Sequence, residues 1–553
     1  MPGAFAHALA AQRRRPENRR WIFVPYDQLG DQVGPLSRED PRTLGVVLVE
    51  CPEKAARRPY HQQKLALVLT SLRHFALEQA ARGVAVQHLV APSYAQALHD
   101  RGPLSLMRPA ERELRAELEP LIARGQITEL PNEGWLSTTE DFRASGGPPW
   151  RMDAFYRAVR RRTGILMKGG KPVGGRFSFD SENRRPWRGE PDAPTPPRFE
   201  PDAITEEVAD LVRTRFGRHP GRLVPETLAA TKADVDRAWR WAKERCLPSF
   251  GPFEDAMSTA SRGLFHAQIS SLLNLGRLPA ARVIQDALSL DLPLASIEGF
   301  VRQILGWREF VRHVHAATDG FRSLGAVAAG PGDGGWSRWR GEPWLRGAAR
   351  GDGGATPSEL GAARPLPPAY WGARSGLRCL DTVVESVWED GYSHHITRLM
   401  ILANLATLLD VAPRELTDWF WAAYTDAFDW VVEPNVLGMG TFAAGDRMTT
   451  KPYVAGAAYI HKMSDYCQGC RFDPKKSCPI TPMYWAFLGR HREALSGVER
   501  MKLPLASEAR RSAAQRAADA QVFERVSEVL GRGEALEAPE FARCETGPHV
   551  WNH

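Results

Sequence analysis

Four cysteines in the last third of the chain have the residue type and the spacing to bind a metal centre. Cys467, Cys470 and Cys478 form a C-x2-C-x7-C group, and Cys379 lies upstream of it. The whole chain has seven cysteines, so such clustering argues against ordinary buried thiols and against disulfides. Thiolates at this spacing converge on one soft metal centre, and the spacing alone fits tetrahedral zinc and an iron–sulfur cluster equally well.

The composition describes a globular protein of several domains. The chain has 553 residues, 43% hydrophobic and 25% charged, and this length predicts two to four domains. The longest apolar run starts at Ile396 but contains Arg398 and Asn404, so we expect a buried helix rather than a membrane span. The first twenty residues are basic and have only a short apolar part, so we expect a solvated tail there. We also expect a cytoplasmic location. We expect neither a membrane nor an obligate protein partner.

The charge balance points to a polyanionic partner. The formal net charge is +7, and most of the cationic residues are arginine, which pairs bidentately with phosphate. A mildly basic enzyme without such a partner would have the same composition. The 17 tryptophans exceed ordinary usage, and their rings could stack on bases, line a cofactor pocket or transfer electrons, although most of any such set are core residues.

The elements that must position these groups differ between the two halves of the chain. Short β-branched and aromatic runs begin at Trp21, Leu44 and Val84, and a helical pattern between Tyr60 and Gly83 separates the last two. Strands separated by helices predict a doubly wound parallel sheet with a ligand crevice at its strand ends. From about Pro225 onward the apolar residues keep a 3.6-residue period, which predicts an all-α half.

These patterns divide the chain into five parts. A Gly- and Pro-rich basic segment separates the two halves, and its composition predicts a connector that runs over the surface. A second interruption, from Gly330, interleaves Trp336, Trp339 and Trp344 with arginines; it suits either a nucleic-acid surface or a loop that packs its tryptophans on the body. The predicted parts are a tail at 1–20, an α/β domain at 21–145, the connector at 146–224, a helical domain at 225–506 with an insertion at about 320–366, and a helix with a tail at 507–553.

An ordered set of segments between about residues 21 and 500 resembles the bacterial iron–sulfur branch of the cryptochrome–photolyase family, also called prokaryotic (6-4) photolyases. These segments include V-P-Y-D-Q-L, P-V-G-G-R-F-S-F-D-S-E-N-R, E-G-F-V-R-Q-I-L-G-W-R-E-F, Y-S-H-H-I-T-R-L-M, D-A-F-D-W-V-V-E-P-N-V-L-G-M and K-M-S-D-Y-C-Q-G-C. The Arg- and Trp-rich interruption looks like an insertion relative to the family, so the resemblance implies no role for it.

The resemblance implies an α/β antenna domain joined to an all-α domain that binds FAD. It also implies a light-driven enzyme that reverses (6-4) pyrimidine–pyrimidone photoproducts in UV-damaged DNA by electron transfer from excited, reduced FAD. Two alternatives stay open: a cryptochrome-type blue-light photoreceptor without repair activity, and a non-photochemical iron–sulfur DNA-binding protein.

By position in the family's motifs, the resemblance also implies site residues. The four cysteines, Cys379, Cys467, Cys470 and Cys478, are expected to hold a 4Fe-4S cluster. An antenna pigment, 6,7-dimethyl-8-ribityllumazine, is expected near Asp27 and Glu53 of the α/β domain. The residues expected to contact FAD are Phe265, His266, Ser270, Asn274, Trp307, Arg308, Glu309, Glu433 and Asn435.

The same motifs imply catalytic and electron-relay residues. Two adjacent histidines on a helix cannot share one environment, so we expect His395 to donate a proton to the lesion and His394 to support it. Arg398, one turn further on, could set their protonation or bind a phosphate. The candidates for contacts with DNA phosphates are Arg176, Arg184 and the arginines of the insertion, Arg338, Arg340 and Arg346. The electron relay is expected to include Trp371, Trp419, Tyr453 and Tyr459.

Overall fold

The computed structural model describes residues 3–324, 333–341, 344 and 353–538. Its N-terminal part contains a five-stranded, fully parallel sheet with the order β3-β2-β1-β4-β5, which confirms the predicted doubly wound sheet. The strand order reverses at β1, so a crevice opens between the ends of β1 and β4. The strands are β1 Arg20–Phe23, β2 Leu44–Glu50, β3 Ala85–Val90, β4 Leu104–Met107 and β5 Ile127–Leu130.

The sheet has a helical layer on each face. Every residue of β2 is buried, as expected for a central strand covered on both sides. Val46 and Leu48 face one apolar core, and Val47 and Val49 face the other, which continues into the helical half. The helices of this part are α1 Ala4–Ala11, α2 Pro35–Arg38, α3 Pro52–Ala56, α4 Gln62–Arg82, α5 Tyr94–Leu98, α6 Arg112–Ala123 and α7 Thr139–Ala144.

The longest of these helices, α4, also fixes the α/β domain to the helical half. His61 caps its N-terminus through Nδ1, which accepts a hydrogen bond from the backbone N–H of Gln63. The other ring nitrogen of His61 lies 3.0 Å from the carbonyl oxygen of Trp388 in the helical half. Gly83 ends the helix in a left-handed conformation, with φ of 98°, that favours glycine. His61 therefore caps the start of α4 and also forms part of the interface between the two domains.

The second half is helical, as predicted. Beyond Pro172 the described residues form helices and irregular segments with isolated bridges, such as the one between Arg364 and Val411. A two-stranded hairpin, β6 Met167–Lys168 and β7 Lys171–Pro172, precedes this half. The α-helices that follow α7 in the chain are α8 Met152–Thr163, α9 Ala203–Arg215, α10 Lys232–Trp241, α11 Leu247–Phe250, α12 Ser270–Asn274, α13 Ala280–Leu288, α14 Leu294–Val301, α15 Glu309–Ala317, α16 Trp336–Arg340, α17 Arg378–Asp390, α18 His395–Thr397, α19 Asn404–Leu408, α20 Pro413–Ala423, α21 Asp429–Glu433, α22 Ala457–Met463, α23 Ile480–Arg490, α24 Arg492–Leu495, α25 Lys502–Ala509 and α26 Ala513–Gly531.

Two segments are more ordered than the sequence suggested. The predicted solvated tail contains α1, whose Phe5 is buried between the ring of His88, 4.9 Å away, and the guanidinium of Arg73, 5.2 Å away. The predicted surface connector contains α8 and α9, and α9 packs on α4 and α1. Both predictions missed these helices for the same reason: short helices gain their stability from the surface they cover, which local composition does not report.

The inserted segment packs part of its tryptophan set on the body. Trp336 is buried, and the indole N–H of Trp344 donates to the carbonyl oxygen of Ala56. These contacts agree with the packing interpretation rather than with an exposed nucleic-acid surface. Residues 325–332, 342–343 and 345–352 lie outside the described residues. Within the described ranges, each helix is too short or too polar to span a bilayer.

Candidate active site in the helical domain

A cavity of about 1130 Å³ lies within the helical half. Its walls come from α8 and from the segments around residues 176–184, 250–274, 300–311, 392–403, 426–440 and 451–459. The sequence-predicted residues that line it are His266, Ser270, Asn274, Trp307, Arg308, His394, His395, Arg398, Asn435, Tyr453 and Tyr459, together with Arg176 and Arg184. Residues that are far apart in the chain therefore meet around one space.

Glu309, which was predicted to contact a flavin, lies outside this cavity. Its buried carboxylate accepts hydrogen bonds from the backbone N–H groups of Leu136 at 3.2 Å and Ser137 at 3.0 Å, and from the Ser137 hydroxyl at 2.5 Å. Arg312 approaches it at 3.5 Å. The prediction is corrected: Glu309 ties α15 to the segment before α7, and its oxygens are already satisfied.

Glu433, also predicted to contact a flavin, likewise lies outside the cavity. His315 lies 2.8 Å from one carboxylate oxygen and Arg414 lies 2.7 Å from the other. Burial alone would raise the pKa of Glu433, but the hydrogen bond to His315 and the charge of Arg414 lower it to about 2. Glu433 is thus a fixed anion inside the protein, away from the cavity. Of the two candidates in the W-V-V-E-P-N-V motif, only Asn435 lines the cavity.

Phe265 also lies outside the cavity. Its ring packs 5.2 Å from that of Phe253 in a small separate apolar cluster, and only its neighbour His266 lines the cavity wall. Consecutive residues in this irregular stretch point in opposite directions, so the motif contributes one of the two side chains.

The two adjacent histidines occupy different environments, as the sequence predicted. His394 has extended backbone at the N-terminus of α18, whereas His395 is the first helical residue. The His394 ring is buried and stacks on His266 at 4.4 Å and 7°. Nδ1 of His394 and Nε2 of His266 are buried without a hydrogen-bond partner. His395 instead presents 38% of its side chain to the cavity.

The surroundings of His395 keep its ring neutral. The cavity walls desolvate the imidazole, and with the charges of Arg302 and Arg398 they lower its pKa to about 4. Nε2 lies 3.9 Å from a carboxylate oxygen of Asp255, whose own pKa is raised to about 7 by burial and by the neighbouring acids Glu254 and Asp180. With this pKa the imidazole of His395 is neutral at pH 7. An anion bound beside the two arginines would raise the pKa of His395.

A hydrogen-bonded network centred on Asp426 orders one side of the cavity. The Asp426 carboxylate accepts from the Ser270 hydroxyl at 2.6 Å and from the Arg398 guanidinium at 3.1 and 3.0 Å. Its backbone oxygen accepts from the amide of Asn274, which in turn accepts from Arg308 at 2.9 Å. Sequence reasoning missed Asp426. The signal was present in the run Y-T-D-A-F-D-W, where two acids interrupt an aromatic stretch that is otherwise buried.

The predicted relay residues fall into two groups. Trp371 and Trp419 are connected through Trp388, with ring centres 5.1 Å and 5.8 Å apart, respectively, from the central ring. Tyr453 and Tyr459 belong instead to the wall of the cavity. Trp388 was not predicted, because nothing in the local sequence distinguishes it from a core tryptophan.

The four cysteines of the predicted metal centre lie in one region. Cys379 is buried in the first turn of α17, Cys467 and Cys470 share a turn after α22, and Cys478 precedes α23. The guanidinium of Arg378 donates to the backbone oxygen of Gln468, which joins the first of these segments to the second. In the described part of the chain, no three His, Cys, Asp or Glu side chains form a group tight enough for a single metal ion.

The residues predicted to contact an antenna pigment differ in their surroundings. Asp27 follows β1 at the crevice of the sheet; one of its carboxylate oxygens and the hydroxyl of Tyr26 are buried without a hydrogen-bond partner. Burial raises the pKa of Asp27 to about 6. Glu53, in the first turn of α3, is exposed. Asp27 thus has an unused acceptor at the crevice, whereas Glu53 has no comparable feature.

The mouth of the cavity is basic. Arg176, Arg184 and Arg500 are exposed cavity-lining residues, and Lys451 is half-buried beside them. Arg176 pairs with Glu182, and Arg184 pairs with Asp180. Both pairs are solvent-exposed, so either arginine can exchange its carboxylate for a phosphate at little cost.

Comparison with known proteins places this geometry in context. Residues 22–227 match a family described as deoxyribodipyrimidine photo-lyase-related protein. The chain is 35% identical over 516 residues to the (6-4) photolyase of Agrobacterium fabrum, covering 89% of this chain and 96% of that protein. In fold it is similar to a bacterial class III photolyase from Agrobacterium tumefaciens (TM-score 0.54) and to a cryptochrome from Synechocystis (TM-score 0.52). Each of these two comparisons covers 93% of this chain and 99% of the other, at 14% identity.

Proposed function

This chain belongs to the deoxyribodipyrimidine photo-lyase-related family, and on that premise we propose that it is a photolyase that reverses (6-4) pyrimidine–pyrimidone photoproducts in DNA with light. The observation that carries the proposal is the cavity of about 1130 Å³, in which His395 faces the open space while His394 and His266 stack behind it. Its basic mouth gives a damaged DNA strand a path to these histidines.

The inner part of the cavity fits FAD. Six buried polar atoms of lining residues have no hydrogen-bond partner: the Tyr156 hydroxyl, Nε2 of His266, Nε of Arg302, Nε of Arg308, Nδ1 of His394 and Nε1 of Trp430. Unpaired buried polar atoms are costly, so these atoms favour a polar ligand in the space they border. Ser270, Asn274, Arg308 and Asn435 would hold it. Bound and reduced, FAD supplies the light-excited electron that repair requires.

His395 would protonate the lesion. In the free protein its pKa is about 4, so the ring is neutral at pH 7. A phosphodiester placed against Arg302 and Arg398 would neutralise the charges that depress this pKa and would favour the imidazolium form. Substrate binding would thereby charge the acid only when a lesion is present. His394, held by its stack on His266, would position the backbone at the start of α18 and hence the ring of His395.

The cysteine region would hold a 4Fe-4S cluster. The support is that all four cysteines lie at the same apolar core and that Cys478, Cys470 and Cys467 are close enough to raise the pKa of the buried Cys379 thiol by their charges, after the larger effect of burial. Cys379 would also gain from its place in the first turn of α17, where the helix dipole stabilises a thiolate.

The crevice of the α/β domain would hold an antenna pigment, for which we propose a ribityllumazine. The support is the pair of unpartnered buried groups there, the Asp27 carboxylate oxygen and the Tyr26 hydroxyl, which could bond polar groups of such a ligand. Glu53 could contribute only from the exposed rim of the crevice.

DNA would be held chiefly through its phosphates. Arg176, Arg184, Lys451 and Arg500 surround the mouth, and each phosphate contact releases counterions, so affinity should fall steeply with salt. The lesion would leave the duplex to reach His395 inside the cavity. A DNA substrate agrees with the predicted cytoplasmic location, which cell fractionation would test.

The test is reversal of a (6-4) photoproduct in a synthetic duplex by the chemically reduced protein under blue light, followed by chromatography of the bases. We expect reversal in the light and none in the dark. A protein that carries reduced flavin yet leaves the lesion intact would instead be the cryptochrome-type photoreceptor. A preparation without flavin would overturn the proposal. Membership of the photolyase-related family leaves no support for a non-photochemical iron–sulfur DNA-binding protein.

A further inference from the structure

We propose that the inserted segment supplies the solvent-reaching end of an electron-transfer chain, with Trp339 as the terminal donor and Trp336 beside it. The chain of rings runs from the cavity wall through Trp419, Trp388 and Trp371. This inference rests on the proposed function, because it requires an electron acceptor in the cavity. It assigns a role to a segment for which the family resemblance implies none.

The rings form an unbroken series. Trp419 and Trp388 have ring centres 5.8 Å apart, and Trp388 and Trp371 stack at 5.1 Å and 18°. Beyond Trp371 the series enters the insertion, where Trp336 lies at 5.1 Å and Trp339 stacks at 6.2 Å and 23°. Spacing of this kind places neighbouring rings in or near contact, so an electron can move by short steps. Trp371 is buried beneath these two rings, whereas Trp339, at the outer end of the series, is half-buried.

The inner end of the series reaches the cavity through Phe420. Its ring lies 5.2 Å from Trp419 and lines the cavity wall. Phenylalanine is hard to oxidise, so Phe420 acts as packing across which the first step occurs, and Trp419 is the first ring able to lose an electron.

The hydrogen bonds of the inner rings favour movement of the positive charge rather than its trapping. The indole N–H of Trp371 donates to the carbonyl oxygen of Gly334 at 2.9 Å, and those of Trp388 and Trp419 both donate to the carbonyl oxygen of Tyr370 at 2.9 Å. A backbone carbonyl is too weak a base to take the proton of an oxidised indole. Each inner ring therefore keeps its proton and can be reduced again by its outer neighbour.

The outer end has the opposite character. Trp339 is half-buried, so water can reach its ring, and the guanidinium of Arg340 lies 4.0 Å above it. A nearby cation disfavours a second positive charge, so oxidised Trp339 should release its indole proton to solvent. Loss of the proton would keep Trp339 as the oxidised ring and would slow the return of the electron from the cavity.

With an oxidised flavin bound in the cavity and excited by light, one electron would leave Trp419 for it, and successive transfers would leave Trp339 as the oxidised ring, which would lose one proton. A thiol in solvent then returns one electron and one proton to Trp339, and two such thiols form one disulfide. The net result is delivery of one electron from a soluble thiol to the cavity.

The test compares Trp339→Phe with Trp485→Phe. Trp485 is a matched control, because it too is half-buried beneath an arginine, Arg511, but its ring neighbour is Tyr484, outside the chain of rings. The readouts are the rate at which bound oxidised flavin bleaches under blue light with a thiol donor, and peptide mass mapping of oxygen added to tryptophan after illumination without donor. We expect bleaching about tenfold slower in Trp339→Phe and unchanged in Trp485→Phe, with oxygen added at Trp339 in the wild type.

Bleaching at the wild-type rate in Trp339→Phe, or oxidation confined to other tryptophans, would overturn the inference. Because Trp339 is half-buried, its replacement by phenylalanine should fold; a circular dichroism spectrum and flavin content equal to wild type confirm that the comparison is valid. Failure of the proposed function is separate: it would appear in the wild type as absent flavin or as no lesion reversal after chemical reduction, a condition that does not use the ring series.

Discussion

Replacing Glu309 by glutamine separates its structural role from the flavin contact that its sequence motif suggested. The carboxylate accepts three hydrogen bonds from Leu136 and Ser137 and lies near Arg312. Glutamine keeps one acceptor oxygen, but its N–H₂ group would face the N–H and O–H donors of Leu136 and Ser137. We therefore expect loss of a stabilising interaction and no change in the cavity.

The magnitude follows from the contacts. Hydrogen bonds to a charged group are worth about 1.5–3 kcal/mol each, and removing one partner of a buried ion pair costs about 3–5 kcal/mol. Because the amide retains one good acceptor and the Ser137 hydroxyl can reorient to accept, we expect a net loss of about 3 kcal/mol in the free energy of unfolding. For a domain of this size the melting temperature should fall by roughly 5–10 °C.

The assay is thermal melting together with the ratio of flavin to protein in the folded fraction. Glu140→Gln is the matched control, because Glu140 is exposed and its substitution should change stability by less than about 0.5 kcal/mol. The reasoning is refuted if Glu309→Gln melts like the wild type but has lost half or more of its flavin, since that result would restore Glu309 to the cofactor site.

Three further perturbations test other parts of the account. His395→Ala should lower the repair rate by about 10²–10⁴-fold at unchanged flavin content, as loss of a general acid does; a rate within twofold of wild type would exclude this role. Cys478→Ser should lower iron content and stability together, because metal binding is coupled to folding; four irons per chain in a stable variant would contradict its role as a ligand. The buried His219 has its pKa lowered to about 4 by desolvation, so its neutral form stabilises the fold fully above about pH 6.5, and that stabilisation is lost as the pH falls toward 4. His219→Asn should therefore lose about 2 kcal/mol less stability than wild type between pH 7.5 and pH 5 in urea titrations, and equal losses would refute the assignment.

The fold was predictable where local pattern and tertiary environment agree. The run L-G-V-V-L-V-E became the fully buried β2, and the apolar run from Ile396 became a largely buried helical segment in which a π-helical stretch, Arg398–Ala403, joins α18 to α19. Helix α1 was missed because an alanine-rich segment has no distinctive pattern until Phe5 is placed against Arg73 and His88.

The site was predictable in its histidines and less so in its acids. His394 and His395 are adjacent in the sequence, and consecutive side chains point in different directions, so different environments could be predicted; that His394 lies just before the helix could not. Glu309 and Glu433 belong to motifs that border the cavity, but their orientation depends on Ser137 and His315, which are distant in the chain. The local sequence around an acid does not show which distant residue will donate a hydrogen bond to it. Position in the motif alone therefore predicted the wrong contacts for Glu309 and Glu433.

The central claim is that light drives reversal of a (6-4) lesion bound in the helical-domain cavity. Its most direct test is a single flash given to the chemically reduced protein saturated with a duplex that carries one such lesion, followed by a count of restored pyrimidines. We expect restored bases in the flashed sample, none in the dark sample, and near-background restoration for His395→Ala. An intact lesion in a flashed sample whose flavin is fully reduced would contradict this claim.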